Sequence, residues 1–158
     1  MKITPSDLII LRMLQENARE RLETIAYEAG LSVATAQRRV RALKDAGIIE
    51  RDAAIVSPQA LGYNMTFIIL VELERERIDQ LDAFRRKVKQ ESRVQQCYYI
   101  TGEADFALVA LARDMDDYQR LTQRLFFDDS NVKRFRTSVV MDRTKVSVDV
   151  PVEEPVED

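Results

Sequence analysis

Several residue types that carry common enzyme chemistry are absent or scarce in this chain of 158 residues. It has no histidine, which excludes Ser-His-Asp and Cys-His catalysis as well as histidine-ligated zinc sites. Its single cysteine, Cys97, can form neither an internal disulfide nor a cysteine-rich metal cluster, and tryptophan is absent too. These absences favour a protein that is not an enzyme, and the sequence predicts neither a cofactor nor a bound metal.

Long apolar runs are absent as well. None approaches the ~20 residues that span a bilayer, and no apolar core follows Lys2 to make a signal peptide. We therefore expect no membrane association and a cytoplasmic location. The chain is nevertheless 46% hydrophobic and 32% charged, which is typical of a folded protein with one domain or two small ones.

Glycine and proline are few, four of each, and they mark boundaries between predicted elements. Thr4–Asp7 reads as a capping box that opens a helix ending at about Glu16. A second helix fits Leu22–Ala29, and Ser32 caps a third helix, 33–46, that Gly47 ends. The Gly-Leu-Ser turn between the last two helices has the spacing of a helix-turn-helix.

After Gly47 the hydrophobic pattern changes to short extended runs. Ile48–Arg51 and Ala53–Val56 could pair as a hairpin across Asp52, which would complete a winged helix-turn-helix over residues 1–56. Residues 57–63 then read as a linker with at most one helical turn.

The second half alternates with the period of strands and helices in turn. Met65–Leu73 has one fully apolar face, and Ile68 and Leu70 make the opposite face half apolar, so we expect both faces to be covered. The predicted order is a strand at 65–73, a helix at 78–88, strands at 94–101 and 106–112, a helix around 118–125 and a strand at 132–141. This βαββαβ order predicts a ferredoxin-like domain over residues 64–141, so the fold class is α+β. Residues 142–158 are predicted to form an acidic, frayed tail.

The third helix concentrates positive charge, with four cations against one acid between Ser32 and Asp45. At 100° per residue Val40 and Leu43 face the core, so Arg38 and Arg41 lie on the opposite side. That side suits the major groove of double-stranded DNA, whereas Arg39 lies nearer the core and fits a phosphate or a structural contact. The predicted DNA-binding residues are Ser32, Val33, Ala34, Thr35, Gln37, Arg38, Arg39 and Arg41. The alternative is a solvated basic helix face.

Together these motifs resemble one known family, the leucine-responsive/asparagine-responsive (Lrp/AsnC) regulators. The resemblance spans about Ile3–Ser147 in the order and spacing of that family. Its N-terminal domain is matched by Thr4–Leu11, Gly30–Ser32, Arg38–Leu43 and Gly47–Ile49, and its ligand domain by Val94–Cys97, Ile100–Phe106 and Val139–Met141.

The resemblance implies a DNA-binding domain joined to a domain that senses a small molecule, usually an amino acid. It implies a homodimer formed through the sheets, dimers that assemble into tetramers or octamers, and an effector bound at the contact between dimers. Asp105 could take an α-ammonium group and the turn N–H groups a carboxylate. The implied effector-binding residues are Tyr99, Thr101, Gly102, Asp105, Met115, Thr137 and Ser138. Alternatively, Asp105 caps a turn and Tyr99 and Met115 belong to the core.

The sequence thus predicts a sequence-specific transcription regulator that responds to an amino acid or related metabolite. One alternative is a ligand-independent regulator, or an architectural DNA binder, of the same family. Another is an enzyme that uses Asp105 with lysines or arginines of the second domain. The overall pI of about 5.2 does not exclude DNA binding, because a local basic patch is enough.

Overall fold

The computed structural model describes residues 1–153, so the part of the predicted tail at 154–158 lies outside the described residues. The chain divides into two compact units. Among the described residues, the first unit comprises 1–55 together with 146–153, and the second unit comprises 56–145. Within residues 1–153, every helix falls short of the length and apolar character that a membrane span needs.

Three helices make the first unit: α1 (Pro5–Glu16), α2 (Leu22–Glu28) and α3 (Val33–Asp45). The capping box predicted for α1 is present, with Thr4 as N-cap and Asp7 closing the box. Arg21 precedes α2, and its side chain makes no capping hydrogen bond to this helix. Gly30 follows α2 with a φ of 64°, a left-handed conformation that glycine adopts without strain. The helices meet over a small core of Ile10, Ile25, Ala29 and Leu43.

The predicted wing is wrong. Residues 48–56 contain no strand. The N–H groups of Ile48 and Ile49 both donate to the Leu43 carbonyl, and both side chains pack against the helical core. A two-residue hairpin turn also needs a positive φ, which the described residues show only at glycines, and this stretch has none. The segment therefore closes the end of α3 rather than forming a hairpin.

The second unit has the predicted βαββαβ order. A turn of 3-10 helix at Gln59–Leu61 precedes it, as the linker prediction allowed. Its elements are β1 (Met65–Leu73), α4 (Ile78–Gln90), β2 (Val94–Tyr99), β3 (Phe106–Ala112), α5 (Met115–Thr122) with a π turn to Phe127, and β4 (Val132–Val139). The antiparallel sheet has the order β2-β3-β1-β4, so β2 and β4 are its edges. β2 and β4 each end two residues before the predicted boundary, which leaves Thr101 in the turn.

One face of this sheet carries the larger core of the chain. Phe67, Ile69 and Val71 of β1 are fully buried there, with Phe84 of α4 and Leu121 of α5. The register places Ile68 and Leu70 on the opposite face, beside Val109 and Ala107 of β3. Ile68 is 46% exposed, so the second face of β1, which the sequence predicted to be covered, is open in the subunit.

The beginning of the C-terminal tail differs from the predicted frayed end. Residues 146–153 group with the first unit. The Gln15 side chain on α1 exchanges two hydrogen bonds with the backbone of Val150. The acidic composition gave no sign of this contact, because the bonds use backbone groups of the tail.

Candidate functional site

The N-terminus of α3 is held by its own cap. Ser32 is extended, and its hydroxyl accepts a hydrogen bond from the N–H of Thr35. The Ser32 hydroxyl also bonds to the Thr35 hydroxyl at 2.9 Å. Ser32, Val33 and Ala34 are exposed, so the first turn of α3 offers small side chains and helix N–H groups to a partner. Such a helix start attracts phosphate and allows close approach to a groove.

The exposed face of α3 carries the cations that the periodicity predicts. Gln37, Arg38 and Arg41 are all exposed, whereas Leu43 is fully buried. The Arg41 side chain is 84% exposed and lies 3.9 Å from Asp45, too loose a pair to withhold it from another anion. One helix therefore presents two arginines and an amide on the side away from the core.

Arg39, which the sequence placed nearer the core for a phosphate or a structural contact, has a structural partner. Its guanidinium forms a two-point ion pair with the Asp7 carboxylate, and Nε lies 2.7 Å from Oδ1. Asp7 is fully buried and also accepts hydrogen bonds from the N–H and the hydroxyl of Thr4. The Arg39 hydrogen bond is the main cause that lowers the pKa of Asp7 from 3.8 to about 2. The pair ties the start of α1 to the middle of α3.

Sequence reasoning missed the partner of Arg39 because 32 residues separate the two side chains. From the sequence, Asp7 has a role in the capping box alone. The position of Arg39 at the core edge of α3 does indicate that it needs a partner, because an unpaired guanidinium there would be costly.

The turn between β2 and β3 contains the glycine and the acid of the predicted effector set. Gly102 has a φ of 116°, and a Cβ added there would meet nothing within 4 Å. Glycine is therefore required by the backbone conformation and not by close approach. Oδ2 of Asp105 accepts the N–H of Leu73 at 2.6 Å, and the Asp105 N–H donates to the Val71 carbonyl. Asp105 thus does cap the turn against the end of β1.

Beside this turn lies an open cleft of about 670 Å³ whose lining is strongly charged. Glu72 there pairs with Lys133 at 2.8 Å and with Arg134 at 2.6 Å, and Arg136 pairs with Glu103 at 3.2 Å. The two cations lower the pKa of Glu72 through hydrogen bonds. The cleft thus offers both carboxylates and cations, the groups that meet the ammonium and the carboxylate of a zwitterion. Its charged lining residues are Glu72, Glu74, Glu76, Glu103, Asp105, Lys133, Arg134 and Arg136.

The predicted effector residues are not brought together within one subunit. Tyr99, Thr101, Gly102 and Asp105 lie at the end of the sheet where Phe106 pairs with Val71, whereas Met115 follows the end where Ala112 pairs with Met65. The path from Phe106 to Ala112 along β3 is six residue steps, which is about 20 Å of strand.

Thr137 and Ser138 lie between these ends, opposite Ile69 and Ile68, and therefore on opposite faces of the sheet. The Thr137 hydroxyl bonds to the Tyr118 hydroxyl on the helix side. Tyr99 and Met115 are about half exposed, so neither is a core residue.

Known proteins with the same two parts match this chain. The AsnC-type helix-turn-helix domain matches residues 3–44, and the Lrp/AsnC ligand binding domain matches residues 66–150. A Sinorhizobium fredii protein described as the uncharacterized HTH-type transcriptional regulator y4tD is 42% identical over 153 residues, 97% of this chain and 90% of its own length.

Two solved structures are similar across nearly the whole chain. A Neisseria meningitidis transcriptional regulator in complex with L-methionine is 28% identical with a TM-score of 0.88, covering 95% of this chain and 97% of that one. The feast or famine regulatory protein from M. tuberculosis, complexed with L-methionine, is 26% identical with a TM-score of 0.85, covering 96% of this chain and 100% of that one.

The family models that match both units, and the Sinorhizobium fredii relative, are those of transcriptional regulators and not of enzymes. This chain belongs to the Lrp/AsnC family of transcriptional regulators.

Proposed function

We propose that this regulator binds double-stranded DNA through the exposed face of α3, with Arg38, Arg41 and Gln37 in the major groove. The observation that carries the proposal is the division of the three arginines of α3: Arg39 is paired with Asp7, whereas Arg38 and Arg41 are exposed on the opposite side. Arginine at such positions contacts guanine edges or phosphates. The relatives described above come from bacteria, whose chromosome lies in the cytoplasm, so we propose that this protein works there.

We further propose that an amino acid is the effector and that it binds at the cleft beside the turn 101–105. The mixed charges of the cleft suit a zwitterion, and Oδ1 of Asp105 has no hydrogen-bond partner within residues 1–153, so it could accept from an ammonium group. Both solved structures named above contain L-methionine, which makes it the first amino acid to test. Because Met115, Thr137 and Ser138 lie away from this cleft, a site that uses all seven predicted residues requires more than one subunit.

The open face of the sheet supports a homodimer. Ile68 and Leu70 of β1, with Ala107 and Val109 of β3, form an apolar strip that is partly exposed in the subunit. Covering such a strip with the same strip of a second copy is favourable, since removing apolar surface from water lowers the free energy of the dimer. We propose a dimer through this face and further assembly of dimers to tetramers or octamers. Ile68→Arg should give monomers in light scattering at micromolar concentration, and a variant that stays dimeric would contradict the proposed face.

A DNA titration and a ligand screen test the proposed function. The wild-type protein is used to select a duplex from a random library, and its affinity is measured at two salt concentrations. Melting temperature is then measured with each of the twenty amino acids, beginning with L-methionine. DNA binding with strong salt dependence and a melting shift for at least one amino acid are expected. Absence of selective DNA binding would overturn the proposal.

A ligand-independent regulator is the second candidate. It is favoured by the hydrogen bond from the Leu73 N–H to Asp105, which shows that this acid has a structural use without any ligand. DNA binding with no melting shift across the twenty amino acids would establish this candidate instead.

A further inference from the structure

The C-terminal segment forms a contact that neither the helix-turn-helix nor the predicted effector site uses. Nε2 of Gln15 donates to the Val150 carbonyl at 2.9 Å, and the Val150 N–H donates to Oε1 of Gln15 at 2.7 Å. The side-chain amide thus pairs with one residue of the tail as a neighbouring strand would. Arg12, one turn earlier on α1, donates from Nη2 to the Val152 carbonyl at 3.3 Å.

The composition of the segment fits this mode of docking. Pro151 lies between the two contacted residues and lacks an N–H, but no contact needs that donor, because α1 uses the carbonyls of Val150 and Val152 and the N–H of Val150. Proline also restricts the free segment, which reduces the entropy lost on docking.

The docking is polar and therefore reversible. Val146, Val148 and Val150 are between 62% and 78% exposed, so burial of these three side chains contributes little, whereas Val152 is half-buried. Three hydrogen bonds at the surface hold a contact much more weakly than a core does. Such a contact can open and close while both units stay folded.

Because of the path of the chain, the docked segment connects the second unit back to the first unit. The chain leaves the first unit after Ile55, forms the whole second unit and returns at Val146. The docked segment is thus a second connection to the helix-turn-helix, in addition to the linker 57–63. Release of the segment would leave the first unit attached at one end only.

We infer that residues 146–152 are a releasable strap that docks on the Arg12–Gln15 side of α1 and restrains the DNA-binding unit. The docking itself is independent of the function proposed above, whereas the effect on DNA binding rests on it. A restrained unit loses less conformational freedom when it binds DNA, so release of the strap lowers affinity.

Hydrogen exchange in the full-length protein tests the docking. In Gln15→Met, which has a side chain of similar size and no amide, exchange of the Val150 N–H should rise at least tenfold. Gln15→Glu keeps the acceptor for that N–H and loses the donor to the carbonyl, so its effect should be intermediate. Glu16→Gln, on the next exposed position of α1, is the control and should match the wild type. Equal exchange in wild type and Gln15→Met would overturn the strap.

DNA binding by the same proteins tests the restraint. With a duplex selected by the wild-type protein, Gln15→Met should bind several-fold more weakly, and Glu16→Gln should not. Faster exchange with unchanged affinity would overturn the restraint while leaving the docking. If the wild-type protein selects no DNA, the proposed function fails, and the exchange experiment still decides whether the strap exists.

Discussion

The two candidate sites differ in how many parts of the chain build them. The DNA-binding candidates lie on α3 and its cap, and the structure gives them one exposed face within a single subunit. The effector candidates come from a turn, the start of α5 and β4, and about 20 Å of β3 separates the two ends of the set. A site on one helix can be complete in a monomer, whereas the second set needs other subunits to become one site.

Two aspartates, one in each unit, differ in their surroundings and in their hydrogen-bond partners. Asp7 is buried and paired with an arginine, whereas Asp105 is half-buried and accepts a backbone N–H with one oxygen. The side-chain partners of the first acid, Thr4 and Arg39, both lie within the first unit. Oδ1 of the second has no hydrogen-bond partner within residues 1–153, and we propose that the ammonium group of an effector binds there.

The largest expected effect is the loss of stability of the first unit when Asp7 is replaced. Asp7→Ala removes the partner of Arg39 and the bonds to Thr4, so the free energy of unfolding of this unit should fall by about 3 kcal/mol. Urea denaturation followed by hydrogen exchange in α1 and α3 measures it. Asp45→Ala, which removes an acid of the same helical unit from an exposed pair, is the control and should change stability little. Equal effects of the two substitutions would contradict the role of Asp7.

Lowering the pH should weaken the ion pair between Asp7 and Arg39. Because the pKa of Asp7 is lowered from 3.8 to about 2, its contribution to stability is present above about pH 4 and is lost as the pH falls towards 2. Unfolding free energies measured between pH 5 and 2.5 should decline more steeply in wild type than in Asp7→Asn, whose amide does not titrate. Parallel curves would show that Asp7 is not held in its charged form.

Substitution of Asp105, in the turn between β2 and β3, should have a smaller effect on stability. It should also separate the structural role of Asp105 from its proposed role in binding an ammonium group. Asp105→Ala leaves the Leu73 N–H without its acceptor and should lower the stability of the second unit by about 1–2 kcal/mol. Asp105→Asn keeps an acceptor oxygen but loses the charge, so stability should be nearly retained while any melting shift with an amino acid is lost. A normal shift in Asp105→Asn would place the ammonium elsewhere.

The smallest expected effect is on the segment predicted as a wing. Ile55 is 91% exposed, so Ile55→Ser should change the unfolding free energy by less than about 0.5 kcal/mol. A larger loss in thermal or urea denaturation would show that this segment packs as a wing after all.

Sequence reasoning succeeded where the determining interactions are local. The caps of α1 and α3 and the exposed face of α3 follow from residues within one or two turns, and the alternation of Met65–Leu73 defines which side of β1 is buried. It failed for the wing, because two short apolar runs do not reveal that Ile48 and Ile49 complete the core of the first unit. The docking of Val150 on Gln15 is equally hidden, since it joins positions 135 residues apart.

The most direct test compares the arginines of α3 in one set of proteins. Affinity for a duplex selected by the wild-type protein and melting temperature are measured for Arg38→Ala, Arg41→Ala, Arg39→Met and, as a control on α4, Arg86→Ala. We expect Arg38→Ala and Arg41→Ala each to lose about 1–3 kcal/mol of DNA binding with an unchanged melting temperature. We expect Arg39→Met to melt earlier because Asp7 loses its partner, and Arg86→Ala to behave as wild type. Wild-type affinity in both Arg38→Ala and Arg41→Ala would contradict the proposal that the exposed face of α3 binds DNA.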